Sequence, residues 1–470
     1  MKNVKKLMLL LVVLVFAFSV VACGDKNEEK NNSTTPSPTS GQSSTNPTEP
    51  VEEVRDLGGK EIVIADWWST DTYRDANTTY LEDYWNHQDE MMKKYNYTIV
   101  RKGVSSWGDM GQDAMLSITN GSPIGDIITL DSGSVAALLD KGLFADVSVL
   151  KEFDFTDDKW NKAVLEVMTV GNAVYGFAGS TEPRTGVFFN MDLFETLGVD
   201  PQLPYDLQES GEWNWANFKD LCARLKAAGD TDSDGVQDVY PIASFSTDFF
   251  PACMVANGTD IIVNNEGTLA TNLDDPAILE ALNWGYSLYE EGYVMPQPEG
   301  SEWNWFIPAF QEQKTCMRVC EEYEAGTIVN YDFKSGFVCF PYGPSSDGSL
   351  VSIVRENILI IPSCYTDAEI ADIAFAYDIF TEETPGYEDD DASWKGSYEA
   401  MFKDSRAVNE TLDLMINELP QVMRPTILLP DYVNDWIWDI DAGAATPAEQ
   451  LEAYGSQWQQ MVDEFNAKER

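Results

Sequence analysis

Asp230, Asp232, Asp234 and Asp238 alternate along one short stretch, with Gly235 and Val236 among them. Carboxylates spaced in this way converge on a single hard cation. Glycine permits the sharp turn and the Val236 carbonyl adds an oxygen, so Asp230 to Asp238 reads as the first part of a calcium-binding loop. The residue that should close an EF-hand with a bidentate Glu is Pro241, so the motif is incomplete. A structural Ca2+ held by Asp230, Asp232, Asp234, Val236 and Asp238 is expected, against the alternative of a solvated acidic turn. Other chemistries are poorly supplied. The one histidine, His87, lies in Tyr-Trp-Asn-His-Gln-Asp with no nucleophile motif beside it. Ser-His and Cys-His mechanisms therefore lack a base unless His87 serves. The sequence has no P-loop, no dinucleotide-binding glycine turn and no Gly-x-Ser-x-Gly elbow, so nucleotide hydrolysis and serine esterase chemistry are not expected. No organic cofactor is expected. With 79 acidic residues, a facing carboxylate pair of the glycoside hydrolase kind stays open as an alternative.

The first residues carry an address. Lys2, Lys5 and Lys6 precede a run from Leu7 to Ala22 that is apolar except for Ser19 and ends at Cys23. A basic start, a short apolar core and small residues before the break are the layout of a signal peptide. Val20-Val21-Ala22-Cys23 resembles the lipobox of bacterial lipoproteins, which implies removal of residues 1–22 and a lipid on Cys23. A plain secretory signal or an N-terminal membrane helix is the alternative, but the run is short for a span. Residues 23–58 are expected to form a disordered tether. Asn31 to Pro50 contains no hydrophobic side chain, so it cannot bury enough apolar surface to offset ordering. As a flexible coil it would reach roughly 30 Å. No later stretch is apolar enough to cross a bilayer, so membrane contact is expected through lipid alone, on the outer face of the cell membrane.

Beyond the tether, 44% hydrophobic residues and 14 Trp support a large core, and the length suggests two lobes. Thirty basic residues against 79 acidic give a formal charge of −49. A surface so acidic repels nucleic acid and anionic lipid, and favours neutral or cationic ligands and divalent metals. Cys222, Cys253, Cys316, Cys320, Cys339 and Cys364 are even in number, so pairing and buried free thiols both stay open.

The elements that must position these residues alternate. Lys60 to Ala65, Tyr97 to Val100 and Asp126 to Leu130 read as strands. Leu81 to Tyr95, Met110 to Thr119 and a short run through Leu139 read as helices between and after them. That alternation predicts parallel βαβ units. Asp275-Pro276 opens a helix to Glu291 that Gly292 ends. Thr366…Glu369 and Thr446…Glu449 are capping boxes before apolar stripes, and Asn214 is placed to cap a helix that buries Trp215.

The order of segments resembles the extracellular solute-binding proteins of ABC importers, in the class that carries sugars and oligosaccharides. Pro183-Arg-Thr-Gly-Val-Phe-Phe-Asn190 is similar to the family's crossover, and Trp213-Asn-Trp215-Ala-Asn-Phe218 to its tryptophan-led helix. Phe310-Gln-Glu-Gln-Lys-Thr-Cys-Met317, Phe340-Pro-Tyr-Gly-Pro344 and Ile358-Leu-Ile-Ile-Pro362 resemble its later strands. Two departures stand out: Gln-Lys replaces Gly-Lys, and Glu321-Glu322-Tyr323 replaces the usual glycine-tryptophan. The resemblance implies a periplasmic-binding-protein-like α/β fold, with two α/β lobes joined by a hinge. One lobe would hold 59–182 plus 355–385, the other 187–350 plus 390–470. It further implies a monomeric, non-enzymatic receptor that captures a solute and delivers it to ABC permease subunits. A peptide or cationic solute is the alternative cargo.

Sugars present flat C–H faces and many hydroxyls, which aromatic rings and polar edges recognise. In open α/β sheets ligands sit beyond the carboxyl ends of strands. Trp67, Trp68 and Asp131 follow the first and third strands, and Glu182 and Arg184 lie in the crossover. Trp303, Trp305, Glu322 and Tyr323 come from the second lobe, Tyr323 falling where relatives carry a stacking tryptophan. These nine are the candidate ligand-binding residues.

Overall fold

The computed structural model describes residues 55–468, leaving aside positions 77, 180, 181, 356, 389–391, 431 and 433. The chain divides into two units, Met1–Glu53 and Val54–Arg470, and every described residue lies in the second. The signal segment, Cys23 and residues 24–54 of the tether lie outside the described residues.

Strand β1 (Lys60–Asp66) is the hub of the first sheet. It pairs in parallel with β2 (Tyr97–Gly103) and β3 (Ile127–Leu130). Its alternating side chains serve two cores: Ile62 and Ile64 enter one cluster, Ala65 the other, as the two-residue period of a strand demands. All four residues of β3 are buried, the continuous apolar pattern of a parallel strand covered on both faces. Helix Thr79–Tyr95 returns the chain from β1 to β2. Thr78 caps it by accepting the Leu81 N–H, and Asn96 ends it in the left-handed region at φ 53°.

The second sheet is built on β4 (Pro183–Asn190), whose eight residues are all buried. It receives β5 (Tyr240–Ser244), β6 (Thr315–Glu321), β7 (Ser335–Cys339) and β8 (Ser352–Val354). Three residues after β8, β9 (Ile358–Ile360) lies back in the first sheet, antiparallel to β3. A late strand, β10 (Gln421–Val422), pairs with β8. The orders are β9-β3-β1-β2 and β10-β8-β4-β6-β5, with β7 also on β4. Two glycines let the strands around β4 approach. A Cβ on Gly186 would meet the Phe337 ring at 2.4 Å, and one on Gly336 the Phe189 ring at 2.1 Å. Each ring fills the space the opposing glycine leaves.

The two sheets draw on 60–130 plus 358–360 and on 183–354 plus 421–422. The segment Pro425–Leu428, expected with the second lobe, packs against helix Ser132–Leu139 of the first. Trp215 is buried under its own helix and stacked on Trp284 at 4.4 Å, and Asn214 caps that helix. Both capping boxes form. The six described cysteines are all free, five of them buried, so the thiol alternative is the one the fold adopts.

Candidate functional site

Strand directions gather one set of strand ends. Glu321 lies opposite Thr185 across β6–β4, and Ile353 opposite Thr185 across β8–β4. The carboxyl ends of β6 and β8 therefore meet the beginning of β4. β5 is parallel to β6, with Ser244 opposite Val319, so Phe245 emerges at the same end. In the first sheet Ile358 lies opposite Leu130, which brings the start of β9 to the carboxyl end of β3. Residues 355–357 are all that separate β8 from β9, so the two sheets present these edges to each other.

At the crossover, Arg184 is the centre of a buried cluster. Its side chain, 10% exposed, donates from Nη1 to Glu322 Oε1 at 2.8 Å and pairs with Glu182. Its Nε donates to the Arg355 carbonyl at 3.4 Å. The guanidinium also stands 5.4 Å from the Tyr323 ring centroid, a cation–π distance. Glu322 is 2% exposed. Its Oε1 accepts from the Tyr398 hydroxyl at 3.4 Å, while Oε2 is buried without a hydrogen-bond partner. Burial pushes its carboxyl up to about 8, outweighing the pull of Arg184, and the charges of Glu182 and Glu321 act in the same upward direction.

Beside this cluster a cavity of about 200 Å³ opens between the lobes, lined among others by Ser132, Thr185, Phe245, Asp248, Glu321 and Arg355. Arg355 spans it. Its Nε donates to Ser132 Oγ of the first lobe at 3.4 Å, and its Nη1 lies 3.5 Å from Glu321 and 3.6 Å from Asp248 of the second. Burial raises the Asp248 carboxyl to about 7, with the Glu321 charge adding to it and Arg355 opposing.

On the first lobe, buried Asp66 shapes the turn after β1. It accepts from the N–H groups of Trp68 and Ser69 at 3.0 and 2.7 Å and from Ser69 Oγ at 2.6 Å. Trp67 and Trp68 meet edge to face at 4.8 Å, with Trp68 nearly half exposed. Asp131 is engaged locally: it caps helix Ser132–Leu139 through the Gly133 N–H and also accepts from Ser134 Oγ.

The structure thus brings Glu182, Arg184, Glu322 and Tyr323 together at the crossover and sets Trp67, Trp68 and Asp131 on the sheet edge of the first lobe. Trp303 lies apart from the crossover cluster, 5.7 Å from Phe245, and Trp305 packs on Phe306 at 6.3 Å. Sequence reasoning missed Arg355, Asp248, Phe245 and Tyr398. Arg355 left one signal, being a rare cation between two hydrophobic strands of an acid-rich chain; the other three left none.

In the acidic loop, one carboxylate oxygen from each of Asp230, Asp232 and Asp238 falls within 4.8 Å of the others. Asp234 is not in that group. Its Oδ1 accepts the Val236 N–H, while Gly235 turns the chain at φ 89°. Three convergent carboxylates suit a hard divalent ion.

The raised carboxyls at the cleft have a measurable consequence. In the folded chain Glu322 and Asp248 hold protons that they release when unfolded, so stability falls as pH rises through about 7 and 8. Thermal unfolding is expected to show a higher Tm at about pH 5.5 than at about pH 8.5. Mutual repulsion within a chain of charge −49 adds to the same trend. Glu322→Gln, neutral throughout, should flatten part of that slope, and an unchanged slope would contradict the assignment.

Residues 75–362 match the family described as bacterial extracellular solute-binding protein. No curated protein matches the chain. Among solved structures, the cyclic α-maltosyl-1,6-maltose binding protein of Arthrobacter globiformis aligns with a TM-score of 0.60 at 18% identity, over 87% of this chain and 99% of its own. An ABC substrate-binding protein of Listeria monocytogenes in complex with cycloalternan gives 0.55 at 18% identity, over 87% and 98%. UgpB from Mycobacterium tuberculosis, in complex with glycerophosphocholine, gives 0.58 at 14% identity, over 87% and 99%. At such identities the likeness is one of fold.

Proposed function

Since the chain belongs to the bacterial extracellular solute-binding protein family, we propose that it is the lipid-anchored receptor of an ABC importer, holding a sugar or oligosaccharide between its lobes and passing it to the permease. The observation that carries this reading is the company around the cavity. Tyr323 and Phe245 offer ring faces, while Glu182, Arg184, Glu321 and Arg355 offer charged hydrogen-bonding edges at the junction of the two lobes. Apolar C–H faces and hydroxyls need that combination. The relatives from Arthrobacter and Listeria, named for a cyclic maltosyl-maltose and bound to cycloalternan, support the carbohydrate class. Arg355, reaching from the connection between the lobes to both of them, is suited to couple occupancy to hinge closure. No step of chemistry is assigned to any residue.

The anchor is proposed from Cys23 and the segment before it. Among the described residues no helix is long and apolar enough to cross a membrane. We take the receptor to act as a monomer on the outer face of the membrane. A cationic solute is the second reading. Glu182, Asp248, Glu321 and Glu322 outnumber Arg184 and Arg355 at the cleft, and an ammonium would relieve the acids that burial holds protonated.

A thermal-shift screen of the purified chain against mono- and oligosaccharides, peptides and amines separates these. A bound solute stabilises by RT ln(1 + [L]/Kd), about 2.7 kcal/mol at a hundredfold excess over Kd. A shift with a sugar and no degradation product supports the receptor; a shift with amines or peptides alone rejects the carbohydrate. We also propose a structural Ca2+ at Asp230, Asp232 and Asp238. Added calcium is expected to raise the Tm, a chelator to reverse the gain, and Asp232→Asn to remove it; equal Tm values with calcium and chelator would rule the site out.

A further inference from the structure

Arg318 places a guanidinium inside the second lobe, with a side chain only 1% exposed. It stands in the middle of β6, opposite Phe188 of β4 and Ala243 of β5, and it does not line the cavity. Taking such an ion out of water is costly, and a neutral side chain of similar volume often serves stability as well or better. Its place needs a reason beyond packing.

Its contacts supply one. Nη2 donates to Glu324 Oε1 at 2.5 Å, while Nε and Nη1 are buried with no hydrogen-bond partner among the described residues. The guanidinium thus depends on one carboxylate. Glu324, 20% exposed, ends the 3-10 turn Glu322–Glu324, which has no side-chain cap at its start. That turn carries Glu322 and Tyr323 of the crossover cluster. The Ala325 N–H closes it, shared between the Glu322 and Tyr323 carbonyls. A short turn of this kind is weakly bonded by itself, so its side chains are aimed only if something outside it holds on.

Arg318 also reaches the opposite wall of the cavity. Its Cζ lies 5.3 Å from the Phe306 ring centroid, a cation–π distance. Phe306 opens helix Phe306–Gln311 and packs at 5.4 Å on Phe245, which lines the cavity. Behind the burial that chiefly raises Asp248, Glu324 adds to the rise and Arg318 opposes it. Both charges are therefore felt at the cavity wall.

We infer that Arg318 is a positioning residue: braced on Phe306, it clamps through Glu324 the turn that presents Glu322 and Tyr323 to the solute. The inference rests on the cleft site proposed above and adds a layer beneath it, whose residues act without touching the solute.

Hydrogen exchange and calorimetry on the purified chain test it, with Arg318→Met, Arg318→Lys and Glu324→Gln as variants and α-1,4- and β-1,4-linked glucose tetramers as probes. Loss of one charge-assisted hydrogen bond is expected to speed exchange of the Ala325 amide by about tenfold in Arg318→Met and Glu324→Gln. Amides of β4 and β5 should keep their protection. Affinity for the tetramer that binds should fall by a similar factor while Tm moves little, because methionine fills most of the space and Glu324 is partly exposed. Arg318→Lys keeps the charge and should recover part of both effects. Glu324→Gln decides the matter if Arg318→Met does not fold. Unchanged exchange at Ala325 overturns the clamp. So does faster exchange spread through the whole second sheet, or an affinity loss that only tracks a fall in Tm, since both describe a packing residue. If neither tetramer binds the parent chain, the carbohydrate reading loses its support, and exchange at Ala325 still decides the clamp.

Discussion

An Arg184→Met chain is expected to lose solute binding and, above about pH 8, about 3–5 kcal/mol of stability. The ion pair it breaks is nearly out of water: Glu322 is 2% and Arg184 10% exposed. Methionine fills much of the same volume, so the cost falls on charge. Glu322 would remain buried beside Glu182 and Glu321 with its attracting cation gone. Its carboxyl, already raised to about 8, would move further up and stay protonated. The deficit should therefore be largest above about pH 8 and shrink as the pH falls to neutral and below, where a neutral carboxyl needs no cation. Adding Glu322→Gln to Arg184→Met should restore much of the Tm while leaving binding lost, because the edge donors that Arg184 supplies to a solute stay absent. Unfolding and calorimetry on the single and double variants measure both. A single variant that melts like the parent above about pH 8 would refute the account of the cluster, and one that binds normally would refute its place in the site.

Trp160→Ala is expected to separate the fold from the site. Trp160 is 1% exposed, in an aromatic cluster with Phe153, Phe155 and Phe177 at 4.9, 5.4 and 5.7 Å and Tyr377 at 6.3 Å. None of these rings lines the cavity. Truncation leaves a large void that rigid rings cannot close, costing about 3–5 kcal/mol. The solute Kd of the folded fraction should not change. Trp160→Phe should cost much less, since it keeps a ring and removes an indole N–H that is buried without a hydrogen-bond partner. Equal losses for Ala and Phe would show that packing is not what the ring contributes.

Elements whose signals are local were legible in the sequence. Helix Met110–Thr119 begins and ends where its pattern does. The two capping boxes and the Asn214 cap form because each needs only residues two or three positions away. The acidic loop was legible for the same reason, although Asp234 stays outside the group that Asp230, Asp232 and Asp238 form. Asp131 shows a competition that spacing conceals, because Ser-Gly-Ser after it offers a helix start for its carboxylate to cap. At the crossover, family order brought Glu182, Arg184, Glu322 and Tyr323 into view. Arg355 meets Ser132 across 223 positions, and Phe245 meets Trp438 only through the packing of separate helices on the sheet. Contacts of that kind depend on strand register and helix docking, which no short pattern encodes.

The six described cysteines, free and mostly buried, bear on how this chain is made. Burial pushes the thiol of Cys339 up to about 12 and those of the other buried cysteines well above their ordinary range. Few thiolates are then present to attack or to be oxidised. A protein of an extracellular family with these six thiols free thus asks nothing of an oxidase or a disulfide isomerase at them. The folded state should be indifferent to reductant, so material produced in a reducing cytosol would carry the same fold as material that has crossed the membrane, whereas refolding, which starts from exposed thiols of ordinary reactivity, should proceed best with a reductant present.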